Sequence, residues 1–200
     1  MDSKLLKTNN LCFKNLNIEI SIDNKKWLED VPGLKALTVE VSHTVFRRIG
    51  KLKNNSPSVS VEVSFLFTND QTIQNFNKNY RGQNNPTNVL SFPLENKKTL
   101  RGKLKSNPIE EGEVLLGDII LAFDVVTEEA KKQNKPLLHH ISHLIIHGIL
   151  HLMGYDHTLD GDAEGMEALE ITEAVMTDLG MPNFGPAFKV SCENHGGPGT

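Results

Sequence analysis

Apolar and polar residues alternate along two segments of the chain, residues 16–22 and 59–67. Every second position is leucine or isoleucine in the first segment, and valine or phenylalanine in the second. Successive side chains of a β-strand point to opposite faces, so a period of two is typical of a strand that is buried on one face. The pattern therefore predicts two half-buried strands.

Two further strands are predicted from extended apolar runs. Residues 89–92 lie between Pro86 and Pro93, and residues 114–121 are almost wholly apolar but contain Asp118. A carboxylate in such a run needs a partner. We expect Asp118 to be structural, bonded to backbone amides or to a histidine ring nitrogen, with proton transfer as the alternative.

Apolar residues recur at helical spacing over residues 34–52, 70–80 and 122–179. Pro136 divides the last of these regions, because proline fits the first turn of a helix. A closing helix is expected over residues 161–179. Four of its side chains should be buried: Met166, Leu169, Met176 and Leu179.

The 200 residues, 38% hydrophobic and 23% charged, are typical of a globular domain with one sizeable core. We expect a single domain over residues 1–184. Residues 95–113 lack periodicity and are predicted to form a mobile loop, and residues 185–200 a disordered tail.

Charge, cysteines and hydropathy limit the function classes. A net charge of -4 and a pI near 6.1 argue against a protein that coats nucleic acid indiscriminately. Cys12 and Cys192 lie near opposite ends, so a disulfide framework is not expected. The absence of a leader pattern and of a long apolar run leads us to expect a cytoplasmic protein.

The helix predicted over residues 136–153 is apolar on nearly all sides, which indicates a central, buried position. Its polar stripe consists of histidines: His140, His143, His147 and His151. Burying a row of imidazoles without partners costs a few kcal/mol. This favours a metal site over a row of core histidines.

The spacing of three histidines specifies the geometry of that site. His147 and His151 are four residues apart, so on a helix they lie about 6 Å apart along the axis and can reach one metal ion. His157 would lie about 9 Å farther on, so the helix must end first. Gly154 can adopt the left-handed conformation that ends helices. Three histidine nitrogens with one open coordination position are typical of a catalytic zinc site. We expect His143, one turn before His147, to support this site or the core rather than to be a fourth ligand.

The pattern His-x3-His-x2-Gly-x2-His over residues 147–157 resembles the zinc skeleton of the metzincin peptidases. Those enzymes place a glutamate directly after the first histidine, whereas this chain has Gly148. Loss of a positioned general base costs about 10² to 10⁴ in rate. The pattern therefore favours a metal site with a different chemistry.

The longer pattern His-Gly-x-Leu-His-Leu-x-Gly-Tyr-Asp-His resembles the signature of the YbeY family of bacterial endoribonucleases. Other blocks resemble that family in the same order along the chain: residues 79–81 with 86–93, residues 116–119, and residue 162 with 166–170. Asn88 departs from the aspartate that is usual in the family.

The resemblance implies an α+β fold, with a small mixed four-stranded sheet packed against about five helices and a zincin-like metal site on a central buried helix. It implies a metal-dependent, single-strand-specific endoribonuclease that matures ribosomal RNA, especially at the 3′ end of the small-subunit RNA, and acts in ribosome quality control. The implied partners are precursor ribosomal RNA, a small-subunit ribosomal protein and a ribosome-associated GTPase. No DNA and no membrane partner is expected.

The resemblance also implies one Zn²⁺ per chain, with His147, His151 and His157 as its ligands and Arg81 across the cleft. Such a centre lowers the pKa of bound water toward 7, which makes a strong protein base unnecessary. We expect Arg81 to bind the phosphate with two hydrogen bonds and to be catalytic together with His147. The alternative is that Arg81 is a surface charge.

Asn88 cannot act as a base. If the family's aspartate transfers a proton, this chain should be slow, and Asn88→Asp should raise its turnover. Two other functions stay open: a ribosome-assembly factor in which the metal is structural, and an amide or peptide hydrolase, which Gly148 disfavours.

Overall fold

The computed structural model describes residues 15–53, 59–94, 112–155 and 163–181. Within these ranges there are four strands: β1 (Asn15–Ile22), β2 (Val59–Thr68), β3 (Val89–Pro93) and β4 (Gly112–Ala122). The same ranges contain six helices: α1 (Lys26–Asp30), α2 (Leu34–Lys53), α3 (Asp70–Arg81), α4 (Phe123–Lys132), α5 (Leu137–Leu152) and α6 (Ala163–Asp178).

The strands form one mixed sheet in the order β1-β2-β4-β3. β1 and β4 both run parallel to β2, and β3 pairs with β4 in the antiparallel sense. The expectation of an α+β fold with a mixed four-stranded sheet is confirmed. The described helices number six rather than about five, because the five-residue α1 has too few residues for a periodic pattern.

The main core lies between one face of the sheet and the helices α2, α5 and α6. The alternation in β2 gives this face its apolar residues Val61, Val63, Phe65 and Phe67, all buried. α5 packs against β3 and β4 and also contacts α2, α4 and α6. Its predicted central, buried position is therefore confirmed.

The other face of the sheet is partly covered by α3. Ile73 of this helix packs with Leu90, Ile120 and Ala122 in a second, smaller apolar cluster. The side chain of Asn69 caps the start of the helix by accepting a hydrogen bond from the backbone N–H of Thr72 at 2.9 Å. α3 and α5 thus lie on opposite faces of the sheet.

Trp27 closes one end of the main core. Its indole Nε1 donates to the carbonyl of Thr68 at 2.9 Å, and its ring packs edge-to-face against Phe67 and Phe123. Burial of a large ring with a satisfied N–H explains how so short a helix as α1 is held in place.

β4 contains a bulge that sets the direction of its later side chains. Glu62 is opposite Leu115 whereas Val63 is opposite Gly117, so Leu116 is an extra residue in β4. Gly117 has φ +131°, and a Cβ there would lie 2.1 Å from the carbonyl oxygen of Phe92. Glycine is required because β3 approaches β4 closely at this point.

The predicted burial of the closing helix is only partly right. Leu169 is 47% exposed, so its predicted burial is wrong: it lies on the outer side of α6. Met176 is buried and Leu179 packs against the core, as expected. The side chain of Met166 lies outside the described residues.

The predicted loop and tail fall mostly outside the described ranges. Residues 95–111 and 182–200 are not among the described residues, so the expectations for them stay predictions. Residues 112 and 113, expected at the end of the loop, belong to β4. None of the helices in the described part combines the length and apolar character needed to span a bilayer.

Candidate metal centre

α5 brings together the first two predicted zinc ligands. The rings of His147 and His151 have centroids 4.2 Å apart and meet edge-to-face at 85°. His147 is only 8% exposed, because α5 is buried on nearly all sides, and His151 is partly buried. The two rings are adjacent, as the four-residue spacing predicts. That both bind one metal ion stays a prediction.

α5 ends at Leu152, before His157, as the sequence predicts. Gly154 has φ +85°, and its N–H donates to the carbonyl of His151 at 3.0 Å. The N–H of Tyr155 donates to the carbonyl of Leu150, also at 3.0 Å. These two bonds define a Schellman motif, in which a left-handed glycine satisfies the last carbonyls and reverses the chain.

Tyr155 fixes the direction in which the chain leaves this turn. Its side chain is fully buried in the main core, and its hydroxyl is 3.1 Å from Oε1 of Glu167 on α6. Residues 156 and 157 follow directly. The chain therefore leaves the turn at Gly154 through a residue that is packed in the core.

The third predicted ligand, His157, lies outside the described residues. Within the described ranges no group of three or more histidine, cysteine or acidic side chains is placed to hold a metal ion. The two-nitrogen pair His147 and His151 nevertheless fits Zn²⁺, because two adjacent imidazoles are donors that this ion prefers. The one zinc ion per chain and its third ligand stay predictions.

Gly148, next to His147, has no space for a side chain. A Cβ there would lie 2.9 Å from Cγ2 and 3.0 Å from Cδ1 of Ile119, a fully buried residue of β4. The Gly148 carbonyl accepts a long hydrogen bond of 3.4 Å from Oγ of Ser91 in β3. A side chain at this position would have to displace Ile119, so packing disfavours the glutamate of the peptidase arrangement.

Arg81 is the last residue of α3 and is exposed. Its neighbour Tyr80 packs edge-on against Phe92 of β3, with ring centroids 5.1 Å apart. Ser91, which precedes Phe92, contacts Gly148 from the other face of the sheet. Tyr80 therefore lies on the face of the sheet opposite α5. The position of the Arg81 side chain across a cleft from the histidines stays a prediction.

Asp118 does not face the histidines. Ile119 points toward Gly148 of α5, so Asp118 points to the opposite face. There it is exposed and lines a cavity of about 420 Å³ together with Glu19, Ser64 and Tyr80. The expectation that Asp118 bonds a histidine ring on α5 is wrong, because the bulge in β4 shifts the alternation by one residue.

Sequence reasoning missed a buried hydrogen-bonded group at the start of α5, about two turns before His147. Oε2 of Glu129 is 2.9 Å from Nδ2 of Asn88 and 3.0 Å from Nε2 of His140. Asn88 and His140 are 4% and 1% exposed. The available signal was His140 itself, a polar residue on a buried helix face that needs a partner.

The carboxyl group of Glu129 is ionised by its surroundings despite partial burial. Burial alone would raise its pKa, but the hydrogen bonds of His140 and Asn88 act in the other direction, and the pKa lies below its ordinary value of 4.5. An ionised carboxylate only accepts hydrogen bonds, so Nε2 of His140 carries a proton. The group is therefore a hydrogen-bonded network around a charged carboxylate.

The sequence model of the family described as Endoribonuclease YbeY matches residues 21–180 of this chain. The chain belongs to the YbeY family. The resemblance predicted from the four sequence blocks is thereby confirmed, and the matched range includes Arg81 and all three predicted ligands.

Several YbeY relatives carry the name Endoribonuclease YbeY. One from Sinorhizobium fredii is 39% identical over 160 residues, which cover 78% of this chain and 84% of the relative. One from Rhizobium etli is 37% identical over 182 residues, or 88% of this chain and 97% of the relative. One from Magnetococcus marinus is 46% identical over 125 residues, which cover 62% of this chain and 82% of the relative.

A solved structure is also similar to this YbeY-family chain. The solution structure of TM1509 from Thermotoga maritima aligns with a TM-score of 0.47 and 25% identity, over 82% of this chain and 91% of that chain.

Proposed function

We propose that this chain is a zinc-dependent endoribonuclease that hydrolyses phosphodiester bonds in single-stranded RNA. The observation that carries the proposal is membership of the YbeY family over residues 21–180, because its named relatives are endoribonucleases. The pair of converging imidazoles on α5 supports the zinc dependence.

The proposed roles follow from the positions of the side chains. His147 and His151, with His157, would hold the zinc ion, and buried α5 would keep their rings in place. When bound, zinc supplies Lewis-acid chemistry and a nucleophile at neutral pH. Arg81 would donate two parallel N–H groups to a phosphate, which stabilises negative charge as it develops.

The physiological substrate in this proposal is precursor ribosomal RNA, trimmed at the 3′ end of the small-subunit RNA, with a further role in ribosome quality control in the cytoplasm. A small-subunit ribosomal protein and a ribosome-associated GTPase are the proposed partners. They offer a way for a chain of net charge -4 to hold an RNA substrate, since binding to a ribosomal particle does not need a basic surface on the enzyme itself.

The test uses the purified full chain, loaded with zinc or treated with a chelator. Its substrates are a labelled single-stranded RNA, the same RNA annealed into a duplex, the corresponding DNA, and a casein-type protein. We expect zinc-dependent cleavage of the single-stranded RNA alone. His147→Ala should abolish it, and His43→Ala, at an exposed position of α2, is the matched control that should not. Equal cleavage with and without chelator would contradict the zinc role.

A second comparison addresses the ribosomal role. Precursor small-subunit particles should be cleaved near the 3′ end faster than the same RNA stripped of protein, since partner proteins would raise the local concentration of enzyme. Equal rates for the particle and the naked RNA would contradict the proposed partners.

A further inference from the structure

Glu129 lies at the meeting point of three elements. Its carboxylate is on α4, and its two partners are Asn88, directly before β3, and His140, in the first turn of α5. One oxygen atom accepts both hydrogen bonds. The Glu129 side chain is 25% exposed, whereas both partners are buried, so the contact is shielded from solvent.

The orientation of the Asn88 amide is fixed by its neighbours. Oδ1 accepts from the N–H of Val89 at 2.7 Å, which leaves Nδ2 to donate to Glu129. An aspartate here could accept from Val89 but could not donate to a carboxylate. Two ionised carboxylates about 3 Å apart repel strongly, and one must take up a proton. The contact with Glu129 therefore gives the amide at position 88 a structural role. Asn88→Asp should for this reason lower turnover, the opposite of the gain expected if the family's aspartate transfers a proton.

Asn88 and His140 connect to different parts of the proposed site. Asn88 ends the segment 82–88, which begins directly after Arg81 and is held on α3 by the hydrogen bond from Nδ2 of Asn77 to the carbonyl of Asn85 at 2.8 Å. His140 lies seven residues before His147 on the same helix, about 10.5 Å away along its axis. Segment 82–88 follows Arg81 directly and α5 carries His147, so a contact that joins this segment to α5 limits the movement of Arg81 relative to His147.

We propose that Glu129 is a positioning residue for RNA cleavage, in that it holds segment 82–88 against the first turn of α5 and so sets Arg81 relative to the histidine pair. This inference rests on the proposed function. Glu129 acts through Asn88 and His140.

Four variants of the full chain test the proposal: Glu129→Ala, Glu129→Gln, Asn88→Asp, and Asn88→Asp combined with Glu129→Gln. Glu129→Gln is the matched control, because its amide oxygen can accept both hydrogen bonds. In the double variant, the side-chain amide nitrogen at position 129 can donate one hydrogen bond to the carboxylate at position 88. It can donate a second one to Nε2 of His140. The double variant should therefore rescue Asn88→Asp.

Three quantities are measured for each variant: amide hydrogen exchange of peptides covering residues 82–90, zinc affinity by chelator competition, and kcat and KM for single-stranded RNA. Glu129→Ala and Asn88→Asp should each speed exchange in residues 82–90 and lower kcat by about tenfold or more, as loss of a buried, charged hydrogen bond predicts. Zinc affinity and the exchange of β2 should stay unchanged. Compared with Asn88→Asp, the double variant should recover most of the exchange protection of residues 82–90 and most of kcat.

The proposal is overturned if the double variant is no better than Asn88→Asp, or if Glu129→Ala leaves residues 82–90 protected. It is also overturned if exchange rises equally in β2, since Glu129 would then support the whole fold. If the wild-type chain cleaves no RNA but the exchange results hold, the proposed function fails while the contact between segment 82–88 and α5 stands.

Discussion

Gly148 shows how one residue separates this chain from the zinc peptidases. Its sequence position predicts only that the general base of those enzymes is missing. Its surroundings show why: Cγ2 and Cδ1 of Ile119 occupy the space that a side chain would need. Glycine at this position is a requirement of helix-to-sheet packing.

The first prediction tests that requirement. Gly148→Ala should lower the free energy of unfolding by about 1 to 3 kcal/mol, because overpacking a dense core strains it. Gly148→Glu should destabilise the chain more and give no peptidase activity. Urea denaturation measures both.

The control for Gly148→Ala is Ile119→Val, which removes Cδ1, one of the carbon atoms that a Cβ at position 148 would meet. Combining the two changes should cost less than the sum of the single changes. Strict additivity of the two free-energy changes would show that Ile119 is not the obstacle.

Arg81 is the second residue with a direct prediction. Arg81→Ala should lower the rate of RNA cleavage by about 10² to 10³, the usual effect of removing one donor that stabilises developing charge. Because Arg81 is exposed, the free energy of unfolding should change by less than about 0.5 kcal/mol. Single-turnover cleavage and thermal unfolding measure the two quantities.

Lys78 supplies the matched control for Arg81. It is an exposed cation one turn earlier on α3, so Lys78→Ala removes the same charge from the same helix and should leave cleavage intact. Cleavage that survives Arg81→Ala but not His147→Ala would show that Arg81 is a surface charge, the alternative stated above.

At the scale of elements, the end of α5 links folding to the proposed metal site. Gly154 ends the helix after His151, and Tyr155 directly after it is buried in the core. Gly154→Ala should destabilise the chain by about 1 to 2 kcal/mol, since L-residues are strained in the left-handed conformation. It should also weaken zinc binding, because residue 157 would follow a displaced turn.

Gly180 offers the comparison for Gly154, because it is also left-handed, with φ +66°, but ends α6. Gly180→Ala should cost a similar free energy of unfolding and leave zinc affinity unchanged. Equal zinc affinity in both variants would mean that the turn at Gly154 does not position a ligand.

β4 is the element in which the sequence did not show the direction of Asp118. Simple alternation from Val114 and Leu116 would turn Asp118 toward the main core, because alternate residues share a face. The bulge at Leu116 and Gly117 reverses this, so Ile119 faces α5 and Asp118 faces the cavity beside Tyr80. A bulge is set by the pairing of β4 with β2 and β3, and no periodicity within β4 reveals it.

At the scale of the whole molecule, the core is built without the histidine pair. The sheet residues Val63 and Phe65 and the helix residues Ile145 and Ile149 are buried together in one apolar cluster. We therefore expect chelation of zinc to abolish RNA cleavage but to leave a cooperative unfolding transition. The free energy of unfolding should be about 2.7 kcal/mol lower without zinc than with free zinc at 100 times its Kd.

Circular dichroism during thermal unfolding, with and without chelator, checks this expectation, and added zinc should restore both cleavage and stability. Loss of the cooperative transition on chelation would favour the alternative of an assembly factor with a structural metal. Retained cleavage would contradict zinc dependence altogether.

The sequence by itself determined the elements and the candidate chemistry. Alternation in β2, helical spacing in α5, and the interval from His147 to His151 with Gly154 beyond are local patterns, and local patterns follow from the geometry of strand and helix. Tertiary structure alone decided which distant residues meet: Gly148 with Ile119, Glu129 with Asn88 and His140, and Tyr80 with Phe92. These contacts join separate elements through packing and burial, so no spacing along the chain encodes them.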